Sequence, residues 1–347
     1  MVVRTKRIVP EGACVWVCSL IAIICLGLEA DPAAGLEPVT IRGSRFYSGS
    51  VPYFPSANFL SSGTPAFKLR THTYLSLMIS NETRRRMLDV AKNKGYNAMY
   101  IYTLNEGDYS GTIVSPYKSG IIGGEFDEYP VRWWRSELKR LNKHNIRPIL
   151  WLFPDDSPTI HAASLSELKR YVQKMVESFD DLPIMWVLAL EVDEYWSKKQ
   201  ADELGTYLKS HTQNPVGIHQ TPRQTDYMTS SWVDYGVYQY GFGRSWEAIY
   251  EDTLFARMKI SSKPFIAGEY DMDGRLLADQ RGLAAAFAGI AGTGNGAPGE
   301  LDEFMAALPD NMFPSRSGNI LRLQGSGVTA VADMNSLSFQ LEKKSFH

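Results

Sequence analysis

The sequence has very little cysteine, and all of it lies near one end of the chain. Its 347 residues include three cysteines, Cys14, Cys18 and Cys25. Around them, basic residues are followed by an apolar run from Val15 to Leu28 and then by small residues. A bilayer crossing needs roughly 20 apolar residues, and this run is shorter, so residues 1–30 are predicted to be a secretory signal peptide. The exported chain would then have no disulfide, no thiol nucleophile and no thiolate metal site.

The sequence also lacks an excess of charge of either sign. The formal net charge is −2, and removal of residues 1–30, with three basic and two acidic groups, changes it to −3. That balance excludes the basic patch on which nucleic-acid binding depends. We therefore expect a secreted or periplasmic protein with no nucleic-acid partner and no membrane attachment after cleavage. The composition gives no oligomeric state.

Several motifs of cofactor and metal chemistry are absent. The sequence has no HExxH, no Walker loop and no lysine placed for a Schiff base. The glycine-rich run from Gly289 to Gly296 could bind phosphate after a barrel strand, but the carboxylates predicted on the same rim would repel it. We expect no cofactor and no metal ion.

What the sequence does contain is an alternation of short apolar runs with helical spacing. Residues 31–62 are predicted to be an irregular or hairpin-like lead-in. Eight strands then alternate with helices in about 230 residues, which predicts a (β/α)8 barrel over residues 63–308. Residues 309–347 are predicted to be a tail, an edge hairpin or a vestigial β segment. The predicted barrel strands are 66–74, 97–104, 146–153, 184–190, 214–220, 235–239, 263–269 and 290–293.

Two of the predicted strands end in a glutamate. Glu191 follows the apolar run 184–190, and Glu269 ends the run 263–269. A buried carboxylate without a partner is costly, so each is either a satisfied structural ion or a catalytic group. Barrel chemistry takes place at the carboxyl ends of strands, and retaining sugar hydrolysis needs two carboxyl groups about 5 Å apart. We therefore predict Glu269 as nucleophile and Glu191 as general acid/base.

Neighbouring carboxylates leave alternatives open. Asp193 or Glu194 could replace Glu191 if the strand ends later than expected. Asp155 and Asp156 follow the third predicted strand, where they could bind substrate, cap a turn or hold a calcium ion. Of these two, Asp155 is taken as a substrate-binding residue.

The remaining strand-end residues suit contacts with a sugar. His72 and His219 could bind hydroxyl groups, although a lone histidine at a strand end is as often structural. Trp196 follows the acid/base strand and could stack on a sugar ring. Tyr238 would donate a hydrogen bond to Glu269 or be a core residue, and Gln239 is predicted to bind substrate.

Five segments resemble those of a known family. They are GTPAFKLRTHTY (63–74), PIMWVLALE (183–191), WVDYGVYQYGFG (232–243), KPFIAGEY (263–270) and GLAAAFAGIAGTGNG (282–296). They are similar to the apiosidase-like (β/α)8 glycoside hydrolases, which share their layout with clan A retaining glycosidases. The resemblance implies that the carboxylate after strand four, Glu191, is the proton donor and that Glu269 is the nucleophile.

The chain departs from that pattern in two places beside the acid/base. Leu190 stands where clan A enzymes commonly have Asn, and Glu191 stands where apiosidase relatives often have Asp. These departures leave the sugar open. The usual C-terminal β-rich companion domain is expected to be missing or vestigial.

The residues and the resemblance together favour one function. The hypothesis is a secreted retaining glycoside hydrolase acting on a polysaccharide or oligosaccharide. The alternative is a carbohydrate-binding or adhesive barrel without catalysis. A polysaccharide lyase would need a basic cluster on the rim, and the sequence shows none there.

Overall fold

A computed structural model of the chain describes residues 36–57, 74–75, 77, 80–106, 113–154, 158–241, 243–269, 275–294 and 300–343. The predicted signal peptide lies outside these residues. The strands are β1 Val39–Arg42, β2 Arg45–Ser48, β3 Val51–Tyr53, β4 Ser56–Ala57, β5 Ala98–Tyr102, β6 Asn105–Glu106, β7 Ile113–Val114, β8 Arg147–Phe153, β9 Met185–Ala189, β10 Val216–His219, β11 Tyr235–Gln239, β12 Phe265–Glu269, β13 Gly292–Gly294, β14 Phe313–Ser317, β15 Ile320–Gln324, β16 Val328–Asp333 and β17 Ser338–Lys343.

The helices lie mainly between the strands of the central sheet. They are α1 Asn81–Asn93, α2 Glu128–Lys143, α3 Pro158–Ala162, α4 Leu165–Phe179, α5 Lys198–His211, α6 Trp246–Lys259, α7 Arg275–Phe287 and α8 Leu301–Ala306. None of the helices within the described ranges has the length and apolarity needed to cross a membrane.

The central sheet is a nearly closed parallel barrel. Its strand order is β4-β13-β12-β11-β10-β9-β8-β5, and every neighbouring pair is parallel. Asn97 bridges the remaining seam, because its N–H donates to the carbonyl of Ser56 (3.1 Å) and its Oδ1 accepts from the N–H of Ser56 (2.8 Å). The predicted (β/α)8 fold is confirmed.

The first barrel strand is not where the sequence pattern put it. Strand β4, at Ser56–Ala57, pairs with β13 and so occupies the first position, inside the predicted lead-in. The predicted strand 66–74 lies almost entirely outside the described residues, and Tyr74 is in a turn. A two-residue strand is too short to show an apolar pattern, whereas the longer run that follows it does.

Capping residues explain where the helices begin. The spacing of Ser164 with Glu167 and of Ser197 with Gln200 predicts two capping boxes. Both are present: each serine side chain accepts from the backbone N–H three residues later, and Glu167 and Gln200 are the reciprocal partners. The sequence predicts that the fifth helix of the barrel is reduced to a turn near 226–232, and the structure has a 3-10 turn there, at Tyr227–Thr229.

The barrel interior alternates large aromatic rings with glycines. A Cβ added to Gly217 would lie 2.5 Å from Cζ of Tyr235, and one added to Gly294 would lie 2.6 Å from Oη of Tyr100. Real side chains do not approach so closely, so these positions must lack a side chain for the rings to fit. A second group of core residues, outside the barrel interior, packs between the sheet and the surrounding helices.

A small antiparallel sheet, β1–β3, covers the amino-terminal end of the barrel. Phe46 of β2 is 1% exposed, and its ring lies edge-on to that of Tyr235 at 5.5 Å between centroids. Arg147 is fully buried below it, where it donates to the carbonyl of Glu37 (2.8 Å) and its guanidinium lies 5.1 Å from the Tyr53 ring. The lead-in is therefore a structural plug for the barrel.

The C-terminal residues form a sheet of their own. Strands β14 to β17 are antiparallel and in sequence order. The sequence pattern predicts a tail, an edge hairpin or a vestigial β segment here, because residues of this segment are mostly polar. Leu321, Leu323, Ala330 and Ala332 alternate inward and join the main core, and two of these four are alanines, which give a weak hydrophobic signal.

Replacement of Phe46 by alanine is expected to destabilise the barrel. Deletion of a buried phenylalanine ring costs about 3–5 kcal/mol of the free energy of unfolding. Phe313→Ala makes the same deletion at a ring that is 71% exposed, so its effect should stay within about 0.5 kcal/mol. Urea denaturation of both variants checks this. If Phe46→Ala lowers the free energy of unfolding by no more than the roughly 0.5 kcal/mol expected of Phe313→Ala, the sheet β1–β3 does not stabilise the barrel.

Candidate active site

The fourth barrel strand delivers Glu191 to the carboxyl edge of the sheet through a tight turn. Pairing with β8 continues to Leu190, whose N–H donates to the carbonyl of Phe153 (3.2 Å). Glu191 then takes φ 42° and ψ 45°, the left-handed region, and a 3-10 turn follows at Val192–Glu194. For a residue with a Cβ this conformation costs roughly 1–2 kcal/mol, so other contacts must hold it.

Three side chains hold the turn. Nδ1 of His219 accepts from the N–H of Glu191 (3.1 Å). Oη of Tyr195 donates to the carbonyl of Leu190 (2.8 Å). The carboxylate of Asp193 accepts from the N–H (2.8 Å) and the hydroxyl (2.6 Å) of Thr221, at the end of β10. The backbone on both sides of Glu191 is therefore fixed by neighbouring strand ends.

These contacts bear on which carboxylate is the acid/base. Asp193 uses both of its oxygens to hold Thr221, and Glu194 is exposed on the 3-10 turn. Glu191 is half-buried and follows the strand directly. Of these three carboxylates, Glu191 is therefore the one that lies directly at the end of the strand.

The seventh barrel strand ends at Glu269, which places its backbone at the same edge of the barrel. In the pairing of β11 with β12, Gln239 stands opposite Glu269, and the register shifts by one residue between Tyr238 and Gln239. The side chain of Glu269 lies outside the described part of the structure, as do His72 and Asp155.

His219 lies inside the barrel and not on its rim. It is fully buried, and its ring is edge-on to that of Trp151, 5.3 Å between centroids. Because a backbone N–H can only donate, Nδ1 must be unprotonated, and the neutral imidazole therefore carries its proton on Nε2. His219 therefore contacts the backbone of Glu191, and its contact with a sugar hydroxyl stays a prediction.

Two predicted sugar-binding aromatics lie in the core. Trp196 is 7% exposed, with its ring edge-on to Phe153 at 5.1 Å, so it has no open face on which a sugar could stack. Tyr238 is fully buried between the sheet and α6, edge-on to Tyr240 at 4.8 Å, and burial raises the pKa of its phenol. Side chains alternate along a strand. Tyr238 therefore faces the helices, which corresponds to the core alternative for this residue.

Gln239 and Tyr102 do face the inside of the barrel near its mouth. Gln239 is 3% exposed and follows the inward-facing Val237 by two residues. Tyr102 is half-buried at the end of β5, and its ring lies 6.1 Å from that of Trp151. Tyr102 is not among the residues singled out from the sequence, although the alternation Ala98, Tyr100, Tyr102 could have identified it as the last inward position of its strand.

The described residues hold no group of three or more His, Cys, Asp or Glu that could bind a metal ion. A groove of about 590 Å³ lies on the helical surface, where Val131 and Arg135 of α2 face Gln173 and Val176 of α4. None of the predicted site residues lines it. The candidate site at the strand ends therefore does not include this groove.

The central sheet is an eight-stranded parallel barrel, and two glutamates follow or end its fourth and seventh strands. Solved structures share this fold. One described as a glycoside hydrolase matches with a TM-score of 0.62 at 16% identity, over 86% of this chain and 83% of its own. A glycoside hydrolase family 5 protein from Bacteroides vulgatus matches with a TM-score of 0.63 at 14% identity, over 86% and 80%. The β-mannanase of the blue mussel Mytilus edulis matches at 0.52 and 12%, over 76% and 92%.

The family model "Apiosidase-like, catalytic domain" matches residues 58–281. The chain belongs to the apiosidase-like family, and its barrel is that family's catalytic domain, which makes it a glycosidase. No curated protein matches the sequence significantly.

The two aromatic residues Tyr102 and Trp196 are expected to differ in what their removal changes. Tyr102→Ala should weaken carbohydrate binding by roughly 3- to 10-fold, since an aromatic contact contributes about 0.5–1.5 kcal/mol. Trp196→Ala should instead lower the free energy of unfolding by about 3–5 kcal/mol, because it leaves a cavity. Calorimetric titration and urea denaturation of both variants measure the two effects. A Trp196→Ala protein of wild-type stability with weakened binding would return Trp196 to the site.

Proposed function

We propose that the protein is a retaining glycoside hydrolase with Glu269 as nucleophile and Glu191 as general acid/base. The observation that supports this most is the placement of these two glutamates, which follow or end the fourth and seventh strands of one parallel barrel. Parallel strands bring their carboxyl ends to one edge, where barrel enzymes hold their active sites. Glu191 is in addition held in a fixed turn, as a proton-transfer group requires.

The reaction would proceed in two displacements. In the first, a carboxylate oxygen of Glu269 forms a bond to the anomeric carbon while the glycosidic bond breaks, and Glu191 transfers its proton to the leaving oxygen. In the second, Glu191 takes a proton from water, the water oxygen bonds to the anomeric carbon, and the Glu269 ester bond breaks. The substrate would be a polysaccharide or oligosaccharide, and no cofactor takes part in either step.

Glu269→Gln and Glu191→Gln test the proposal against a hydrolysis screen of glycans. Loss of the nucleophile should lower kcat by roughly 10⁴-fold or more, and loss of the acid/base by about 10²–10⁴-fold. Glu203→Gln, on the outer surface of α5, is the matched control because Glu203 is 47% exposed and pairs with Lys169. Proton NMR of the first product should show the anomeric configuration of the substrate.

Two outcomes would contradict the proposal. If the wild type and both variants bind a glycan equally and none cleaves it, the protein is a carbohydrate-binding barrel without catalysis. If the first product has the opposite anomeric configuration, the enzyme inverts and Glu269 is not a nucleophile.

We also propose that the enzyme is secreted, on the basis of the apolar run at 15–28 and the basic residues before it. Expression of the full chain in a secreting host should give a processed protein that begins near residue 31, because signal peptides are removed after export. Edman sequencing of the extracellular fraction measures this. Recovery of an unprocessed chain in the cell membrane would show an anchor instead.

A further inference from the structure

We propose that His219 is a positioning residue for Glu191, and that it sets the direction of the proposed acid/base by accepting the hydrogen bond of its backbone N–H. This inference rests on the proposed function. It assigns to His219 a role in proton donation to the leaving group, which differs from the sugar contact that its position at a strand end suggested.

The backbone of Glu191 has an unfavourable conformation that a hydrogen bond to His219 helps to hold. Its φ of 42° lies in the left-handed region that residues with a Cβ avoid. A residue in this conformation persists only when its surroundings fix it. The N–H of Glu191 points away from β8 and is bonded to Nδ1 of His219 at 3.1 Å. This bond joins the turn at its centre to the neighbouring strand β10.

Packing on two sides fixes the orientation of the His219 imidazole. The ring contacts Trp151 on one side, at 5.3 Å between centroids. On the β12 side it lies close to Gly268, where an added Cβ would be 3.6 Å from Cδ2 of His219 and only 2.4 Å from Cγ1 of Val237. A larger residue at 268 would therefore displace the packing beside the ring. His219 is fully buried, so bulk solvent does not reach the hydrogen bond between Nδ1 and the N–H of Glu191.

Two other side chains hold the turn on either side of Glu191. Tyr195 holds the carbonyl before Glu191, and Asp193 holds Thr221 after it. Neither accepts from the N–H of Glu191. Without an acceptor at Nδ1, the peptide between Leu190 and Glu191 keeps the bond of its carbonyl to Tyr195 but loses the bond of its N–H to His219. We expect this peptide then to tilt about its carbonyl end, so that the side chain of Glu191 leaves its aligned direction.

His219→Asn and His219→Gln form a matched pair of variants. Both replace the ring by an amide of similar polarity. The Asn Oδ1 falls near the position of Nδ1 and can accept from the N–H of Glu191, whereas the Gln amide falls near Nε2 and cannot. We expect kcat/KM of His219→Asn on a glycan substrate to stay within about 5-fold of wild type, and that of His219→Gln to fall by roughly 100-fold, the range of a general-acid contribution.

The leaving group separates positioning from other roles. An aryl glycoside with a strongly acidic phenol leaves without protonation, so kcat/KM of His219→Gln on it should stay within about 5-fold of wild type. A sugar-binding or purely structural role would lower kcat/KM on both substrates equally. That result, or an equal loss in His219→Asn and His219→Gln on the glycan, would overturn the inference.

Imidazole ¹⁵N NMR of the wild-type protein tests the same bond without any activity. His219 should give an unprotonated Nδ1 and a protonated Nε2, with its signals assigned by their loss in His219→Asn. A protonated Nδ1 would overturn the inference even if His219→Gln does not fold. If the wild type cleaves no glycoside but shows the expected tautomer, the proposed function fails while the hydrogen bond to Glu191 stands.

Discussion

The packing of Trp151 inside the barrel is the interaction on which the rest of the site depends. Its ring is fully buried and contacts Tyr100 and Tyr102 of β5 and His219 of β10. These contacts reach two other strands of the barrel across its interior. Because packed interiors tolerate few voids, the position of this ring determines where the inward residues of its neighbours can lie. The imidazole of His219, which accepts from the N–H of Glu191, is one of these inward residues.

The turn at Glu191 shows what such packing makes possible. An unfavourable backbone conformation at the end of β9 is maintained by a buried acceptor, a tyrosine hydroxyl and a carboxylate, each from a residue that the barrel or its loops hold in place. A barrel with the same strands but a smaller residue at 219 would lack the Nδ1 acceptor to which the N–H of Glu191 donates. Functional sites commonly combine local strain with a rigid surrounding structure, and this turn follows that pattern.

The sequence predicted the barrel well because its strands are buried on both faces and its helices carry explicit start signals. The apolar runs gave seven of the eight strands, and Ser164 and Ser197 gave two helix starts. The first strand was misplaced because two residues carry no periodicity. The sheet at 313–343 was underestimated because its inward positions include alanines.

The site was predicted less completely, for a physical reason. A position at a strand end can be read from the sequence, but whether the side chain faces the barrel interior or the helices depends on register and on small bulges. Tyr238 and Gln239 are adjacent and lie on opposite faces. Trp196 follows β9 and Glu191 closely, yet its ring lies edge-on to that of Phe153 after the 3-10 turn. No single-sequence pattern reports the direction of such a turn.

The connection between β10 and β11, where a regular fifth helix would stand, supports the segment that follows Glu191. Between β10 and β11 the chain forms only a 3-10 turn, and Trp232 packs so closely on α5 that a Cβ at Gly205 would lie 2.3 Å from the ring. Oη of Tyr227 in this turn donates to the carbonyl of Trp196 (2.9 Å), and burial, with nearby carboxylates, raises the pKa of its phenol. The hydroxyl therefore stays a donor at neutral pH.

The same connection is fixed at its start by Gln220, whose Oε1 accepts from the N–H of Tyr227 (2.9 Å), and by Thr221, which holds Asp193. Residues 219–227 thus bond to the segment 191–196 at the amide of Glu191, at Asp193 and at the carbonyl of Trp196. A regular helix in this place would begin by directing its backbone N–H groups to its own capping residue. The loss of regular helix here accompanies a gain in contacts to the turn at Glu191, so the departure from barrel symmetry lies beside the proposed acid/base.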